Sequence, residues 1–170
     1  MKVTRGRKSK VLYLTRAAAI AALYVVLTWL CSLLGLSSGV IQLRLSEALT
    51  ILPVFFPEAA VGLFLGCLIS NLITSAVIWD IIFGSIATLI GAVGAYLLRR
   101  LPKRLIFLAT LPTIIANTAI IPFVLVYAYG VPDTLPFVIL TVGIGEVLSA
   151  GVFGTALYYL LDKTRGALGL

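Results

Sequence analysis

An all-α integral membrane protein, with six transmembrane helices in one compact bundle, is the fold class the sequence predicts, on three observations. Of 170 residues, 61% are hydrophobic and only 11% charged, where a soluble domain carries about 25% charged residues. The mean hydropathy is +1.16, more than an interior can absorb, because a domain of this size keeps a large surface that water must wet. The net charge of +7 is also unevenly spread. Six basic residues (Lys2, Arg5, Arg7, Lys8, Lys10, Arg16) open the chain, four (Arg99, Arg100, Lys103, Arg104) share one turn, and Lys163 and Arg165 lie near the end, so that only Arg44 stands apart. Basic clusters beside apolar runs mark the cytoplasmic side, which puts both termini there and argues against a nucleic-acid partner.

The basic segment 1–10 leads into a first helix at about 11 to 35. That run is too long for the apolar part of a cleaved signal peptide. Trp29 and Leu30 also stand before Cys31, where a lipoprotein site has small residues, so the helix is expected to be retained. A second helix, 40 to 55, is short and runs into Pro53-Val54-Phe55-Phe56-Pro57; prolines cannot donate to a helix ladder, which predicts a tight cytoplasmic reversal. Further spans follow at 57 to 77 and 79 to 98, then the basic turn, then 105 to 129. Gly130-Val131-Pro132-Asp133 makes the last outer turn before a span at 136 to 161. Six crossings return the C-terminus to the side of the N-terminus, in agreement with the charges. No repeat, low-complexity segment or linker divides residues 1–170, which read as one membrane domain.

Chemistry finds little support in the residue types. With no His, and Cys31 and Cys67 far apart in apolar runs, neither a zinc site nor a disulfide framework has its ligands; buried structural thiols are expected, with no cofactor and no metal. No Walker loop with its Lys is present, and a Ser or Cys nucleophile lacks its usual base. An enzyme is not expected.

Ionisable groups in a bilayer cost about 2.5 to 3.5 kcal/mol each even on the lenient insertion scale. Arg44, Glu47, Asp80 and Glu146 nevertheless fall within or at the ends of the spans, with the amides Gln42, Asn71 and Asn117. At about 1.5 Å per residue they share one outer layer, drawn from five helices, while the inner half carries almost none. This describes a cup open outward, not a channel. Arg44 and Glu47 stand three apart and can pair on one helix face, and Asp80 beside Trp79 can belong to an interfacial aromatic belt. Glu146 and Asn117 have no partner nearby in sequence and are the strongest candidates for a ligand. Small residues at helical spacing, Ala17 with Ala21, Ala18 with Ala22, and Gly62 with Gly66, permit close helix approach in lipid.

The stretch 41–92, with its RLSEAL, SNL and DIIFGSIATL segments, resembles the QueT-type proteins, the substrate-binding (S) subunits of energy-coupling-factor (ECF) transporters assigned to queuosine precursors. ATLPTIIANTAIIPFVL (109–125) and GEVLSAGVFGTALYYLLDK (145–163) continue the resemblance. It implies a six-helix subunit of the bacterial plasma membrane that holds its ligand near the outer surface, with a transmembrane coupling subunit and two cytoplasmic ATPases as partners. It further implies that a small-residue face of the first helix docks on the coupling subunit, Ala17 with Ala21 or Ala18 with Ala22, and that the first outer loop, about 35 to 43, is a lid. In the family's mechanism the loaded subunit tips over in the membrane and ATP hydrolysis resets the complex.

A deazaguanine is flat and offers adjacent N–H donors beside a carbonyl acceptor, so it calls for a carboxylate, an amide and an aromatic platform. The expected set is Glu146 or Glu47 on that edge, Asn71 and Asn117 orienting it, Trp79 stacked on it at about 1 to 3 kcal/mol, and Asp80 facing a cationic aminomethyl group, with Arg44 in the same layer. An S subunit for another vitamin or nucleobase would carry the same layer. So would a self-sufficient facilitator or an enzyme acting on a lipid headgroup, either of which would be active alone.

Overall fold

The computed structural model of the chain describes residues 3–36, 42–74 and 77–168, with side chains for 10–36, 42–74 and 77–164. No strand occurs among the described residues. Helix α1 (Val3–Leu33) is followed by a 3₁₀ helix (Leu45–Val54), α2 (Ala59–Ile73) and α3 (Ile78–Leu97). A second 3₁₀ helix (Lys103–Thr110) leads into α4 (Leu111–Tyr127), and α5 (Leu135–Glu146) continues through a π-helical segment (Val147–Phe153) into α6 (Gly154–Leu168).

Four helical stretches are long and apolar enough to cross a membrane, Lys10–Leu33, Ile78–Leu97, Lys103–Tyr127 and Leu135–Thr164. The first 3₁₀ helix and α2 are apolar but have 10 and 15 residues. At rises of about 2.0 and 1.5 Å per residue they reach about 20 and 22 Å, short of a hydrocarbon core of about 30 Å.

The second predicted helix is therefore corrected in type and length. Gln42 to Arg44 are non-helical, with Arg44 extended (φ −113°, ψ 90°), and the helix that follows is wound as 3₁₀ with Pro53 inside it. Three residues per turn align positions three apart, which puts Glu47, Thr50 and Pro53 on one buried stripe. The fifth span is also split. Its first turns are 3₁₀, and the α-helix starts at Leu111 with Pro112 in its first turn, where a missing N–H costs nothing.

Side-chain pairs fix an antiparallel order. Arg16 on α1 meets Glu58 at the start of α2 at 3.3 Å, and Lys103 meets Asp162 on α6 at 2.6 Å; these pairs share the end of the bundle that holds the basic turn. Phe55 and Phe56 both donate their N–H groups to Leu52 O at 2.9 Å, closing the reversal expected between the prolines. Gly130, with φ +67°, makes the turn at the other end, a conformation that costs little without a Cβ.

Gly62 and Gly66 seat α1 on α2. A Cβ on Gly62 would lie 2.5 Å from Ala17 O, and one on Gly66 would lie 3.0 Å from Ala21 O, so only glycine admits this approach. Ala17 and Ala21 are consequently buried inside the chain, while Ala18 and Ala22 point outward. Of the two alanine pairs weighed for a partner, the first is thus consumed by internal packing. Only 17% of the apolar window of α1 is buried, against 44% in each of the other three long spans, so α1 is the least covered of them.

Candidate functional site

Polar side chains converge beneath the end of the bundle opposite the basic turn. Glu47, on the buried stripe of the first 3₁₀ helix, is 1% exposed and accepts a hydrogen bond at Oε1 from the Tyr24 hydroxyl of α1. The Asn117 side chain of α4 faces both Glu47 and Glu146, and Thr88 of α3 also approaches Glu47. Glu146 closes α5 immediately before the π-helical segment, whose looser turn also brings Ser149 inward; its Oγ accepts from the Arg44 backbone N–H at 3.1 Å.

Asp80 is the second node. Its Oδ2 lies 3.8 Å from Arg44 Nη2 and accepts from the Tyr129 hydroxyl at 3.3 Å. Tyr129 in turn accepts from the Val77 N–H at 3.0 Å, and Asn71 Nδ2 donates to the Asp80 carbonyl at 3.1 Å. Three connections meet at this carboxylate: the one before the 3₁₀ helix through Arg44, the one before α3 through Val77, and the one after α4 through Tyr129.

Arg44, Glu47, Asn71, Asp80, Asn117 and Glu146 therefore form one connected group. The pairing differs from the expected i, i+3 contact, since Arg44 bridges to Asp80 and Glu47 is held by Tyr24. Trp79 stands outside the group. One residue before Asp80 it is turned about 100° round the helix, is 51% exposed, and stacks on Phe83 at 6.0 Å between ring centroids. It lines an open apolar groove of about 550 Å³ between α3 and α4, and a second groove of about 800 Å³ lies between α4 and α5. Apart from Thr118 in the second, both grooves are lined by apolar residues, and neither by the charged group. The lid expected at 35 to 43 lies partly outside the described residues, as 37–41 are not among them.

Sequence reasoning missed Tyr24, Thr88, Ser149 and Tyr129, whose hydroxyls carry no mark until the helices are assembled. It also missed Glu58, which is buried beside Arg16 at the basic end.

Among the described residues, six buried side-chain atoms have no hydrogen-bond partner. Two of them, Thr113 Oγ1 and Thr118 Oγ1, sit at helix crossings against Gly91 and Gly143. The other four are Glu47 Oε2, Asp80 Oδ1, Asn117 Nδ2 and Glu146 Oε2. Buried polar atoms without partners are rare in native proteins and each calls for an explanation; here four belong to one group. No three His, Cys, Asp or Glu side chains among the described residues approach closely enough to share a metal ion.

Membrane-length apolar helices around a buried, incompletely satisfied polar group define a multi-pass membrane protein. The chain belongs to the QueT transporter family, whose description matches residues 14–163, a range that includes every residue of the polar group. It is 37% identical over 84 residues to the queuosine precursor transporter QueT of Lactococcus lactis subsp. cremoris (strain MG1363), a stretch covering 49% of this chain and 49% of that protein. The match thus spans about half the length of that curated relative. No solved structure matches the chain.

Proposed function

We propose that this chain is the substrate-capture subunit of an ATP-driven ECF-type importer in the bacterial plasma membrane, and that its cargo is a queuosine precursor of the deazaguanine type. The observation that carries the reading is the set of unpartnered atoms: three carboxylate oxygens, on Glu47, Asp80 and Glu146, and one amide donor, on Asn117. A ligand that completes them brings several N–H donors and one carbonyl. The edge of a guanine ring has this arrangement, its ring N–H and exocyclic amine facing a carboxylate and its carbonyl facing an amide. Asp80, whose Oδ1 has no partner, suits a ligand bearing a protonated amine.

In this reading Glu47, Glu146 and Asn117 hold the base edge, Asp80 meets the amine through Oδ1 while Arg44 and Tyr129 hold its Oδ2, and Asn71 supports Asp80 from behind. Six spans with both termini in the cytoplasm are supported by the charges at the basic end, where Lys10, Arg16, Arg99, Arg100, Lys103, Arg104 and Lys163 contrast with the single Arg44 beside the site. The polar group then faces outward, where a scarce ligand is captured. The coupling subunit would dock on the outward face of α1 at Ala18 and Ala22, small residues that let a second helix approach, and the ATPases would bind that subunit.

Calorimetric titration of the purified chain with 7-aminomethyl-7-deazaguanine, beside guanine and a panel of vitamins, tests the cargo. Binding of a vitamin and not of the deazaguanine would overturn it. Vesicles holding the chain alone are expected to bind the ligand without ATP-driven accumulation until coupling subunits are added; net uptake by the chain alone would instead mark a facilitator. Ala18→Leu with Ala22→Leu is expected to abolish co-purification with the coupling subunit while leaving ligand affinity within twofold.

A further inference from the structure

We infer that Tyr24 is a positioning residue of the ligand site, and that through it the seating of α1 on α2 sets the affinity for the ligand. The inference rests on the proposed ligand reading and adds to it a residue that contributes no atom to the unpartnered set.

Tyr24 is 1% exposed on a helix that is otherwise mostly uncovered. Its hydroxyl donates to Glu47 Oε1, so the carboxyl cannot rotate freely, and Oε2 is left as its unpartnered oxygen near Asn117. A carboxyl fixed in advance binds more tightly than one that must be ordered on arrival, because the rotational freedom is already lost. The ring has little room to adjust, since a Cβ on Gly66 would lie 2.8 Å from Tyr24 Cβ and 3.0 Å from Ala21 O. Thr28, one turn further along α1, adds a second tie to the 3₁₀ helix through Ser46 Oγ at 2.9 Å. A shift of α1 therefore reaches Glu47 through a hydrogen bond, not through loose packing.

Tyr24→Phe removes the hydroxyl and keeps the ring. Binding of 7-aminomethyl-7-deazaguanine is expected to weaken about tenfold or more, the range for a hydrogen bond to a charged group, with a lower melting temperature because Oε1 of a buried carboxyl loses its donor. In a Glu47→Gln background the same change is expected to alter affinity less than twofold. Independent, multiplicative losses in the two variants would overturn the inference, because a purely structural tyrosine is indifferent to residue 47. Gly66→Ala, which pushes on Tyr24 while retaining its hydroxyl, is expected to weaken binding in the parent chain and to have little effect once Tyr24 is Phe; equal losses in both would overturn the role of the α1 seat. If the parent chain does not bind the probe, the ligand reading fails separately, and infrared spectroscopy of the ligand-free protein still decides the positioning. The Glu47 carboxyl band, identified by its loss in Glu47→Gln, is expected to move in Tyr24→Phe, and an unmoved band would overturn the proposal.

Discussion

The two ends of the bundle hold the same kinds of charged residue in opposite states of completion. At the basic end Glu58 is buried beside Arg16 at 3.3 Å, whose guanidinium lies 4.9 Å from the Phe56 ring centroid, and Asp162 receives Lys103 at 2.6 Å. No carboxylate or amide atom there is among the buried atoms without a partner. At the other end Glu47, Asp80 and Glu146 are at least as deeply buried, 1%, 4% and 6% exposed, yet each keeps one oxygen unmatched. Burial alone would rank Glu58 with the site residues. What separates them is the inventory of partners: the carboxylates at the basic end are paired, and those at the other end each keep an unmatched oxygen, on which the proposed ligand reading rests.

The contrast breaks most visibly if both ends respond alike to neutralisation. Glu146→Gln and Asn117→Ala are each expected to weaken ligand binding by about 10- to 100-fold, since a hydrogen bond involving a charged group is worth about 1.5 to 3 kcal/mol, while the folded protein still elutes as a single species. Unchanged affinity in both would remove these residues from the site. Asp80→Asn is expected to have a somewhat smaller effect, about tenfold, and to act differently. It removes the charge that holds Arg44 and weakens the acceptor of Tyr129, loosening the meeting point of three connections, so ligand release measured by stopped flow is expected to accelerate more than association slows.

Much of the bundle was legible in the sequence because lipid imposes simple rules. Apolar runs bounded by basic turns gave the four membrane-length stretches, Lys10–Leu33, Ile78–Leu97, Lys103–Tyr127 and Leu135–Thr164, to within a few residues, as the backbone must satisfy itself within each helix. The first 3₁₀ helix was not legible as such, since LSEALTILPV is equally apolar in either winding and Ser46 to Pro53 are all buried in the bundle. Glu47, Asn117 and Glu146 were legible as members of the buried polar group because charge and amide groups are costly in apolar runs. Tyr24 was not, because a tyrosine in a membrane span is unremarkable until its hydroxyl meets a carboxyl 23 residues away. Trp79 does not join the polar group for a geometric reason: one residue from Asp80 is about 100° round α3, which leaves its ring exposed.

At the basic end the expected effects fall on stability instead of affinity. Glu58→Gln leaves Arg16 partly solvated, its side chain being 37% exposed, so a loss of about 1 kcal/mol in unfolding free energy is expected, with ligand affinity unchanged within twofold. An affinity loss matching that of Glu146→Gln would erase the distinction between the ends.

The smallest effect belongs to Lys103 and Asp162. Their contact is the shorter of the two pairs at this end, at 2.6 Å, but the lysine side chain is 68% exposed against 14% for the aspartate. Water and salt therefore screen the attraction, over a Debye length of about 8 Å at physiological ionic strength, and fixing a long side chain offsets part of what remains. Lys103→Met is expected to cost less than about 0.5 kcal/mol, falling further at 1 M salt, because the Tyr159 hydroxyl still donates to the Lys103 carbonyl at 3.1 Å and keeps α6 against this turn. A loss above about 2 kcal/mol that persists at high salt would mean that distance, and not solvent access, sets the strength of the pairs at this end.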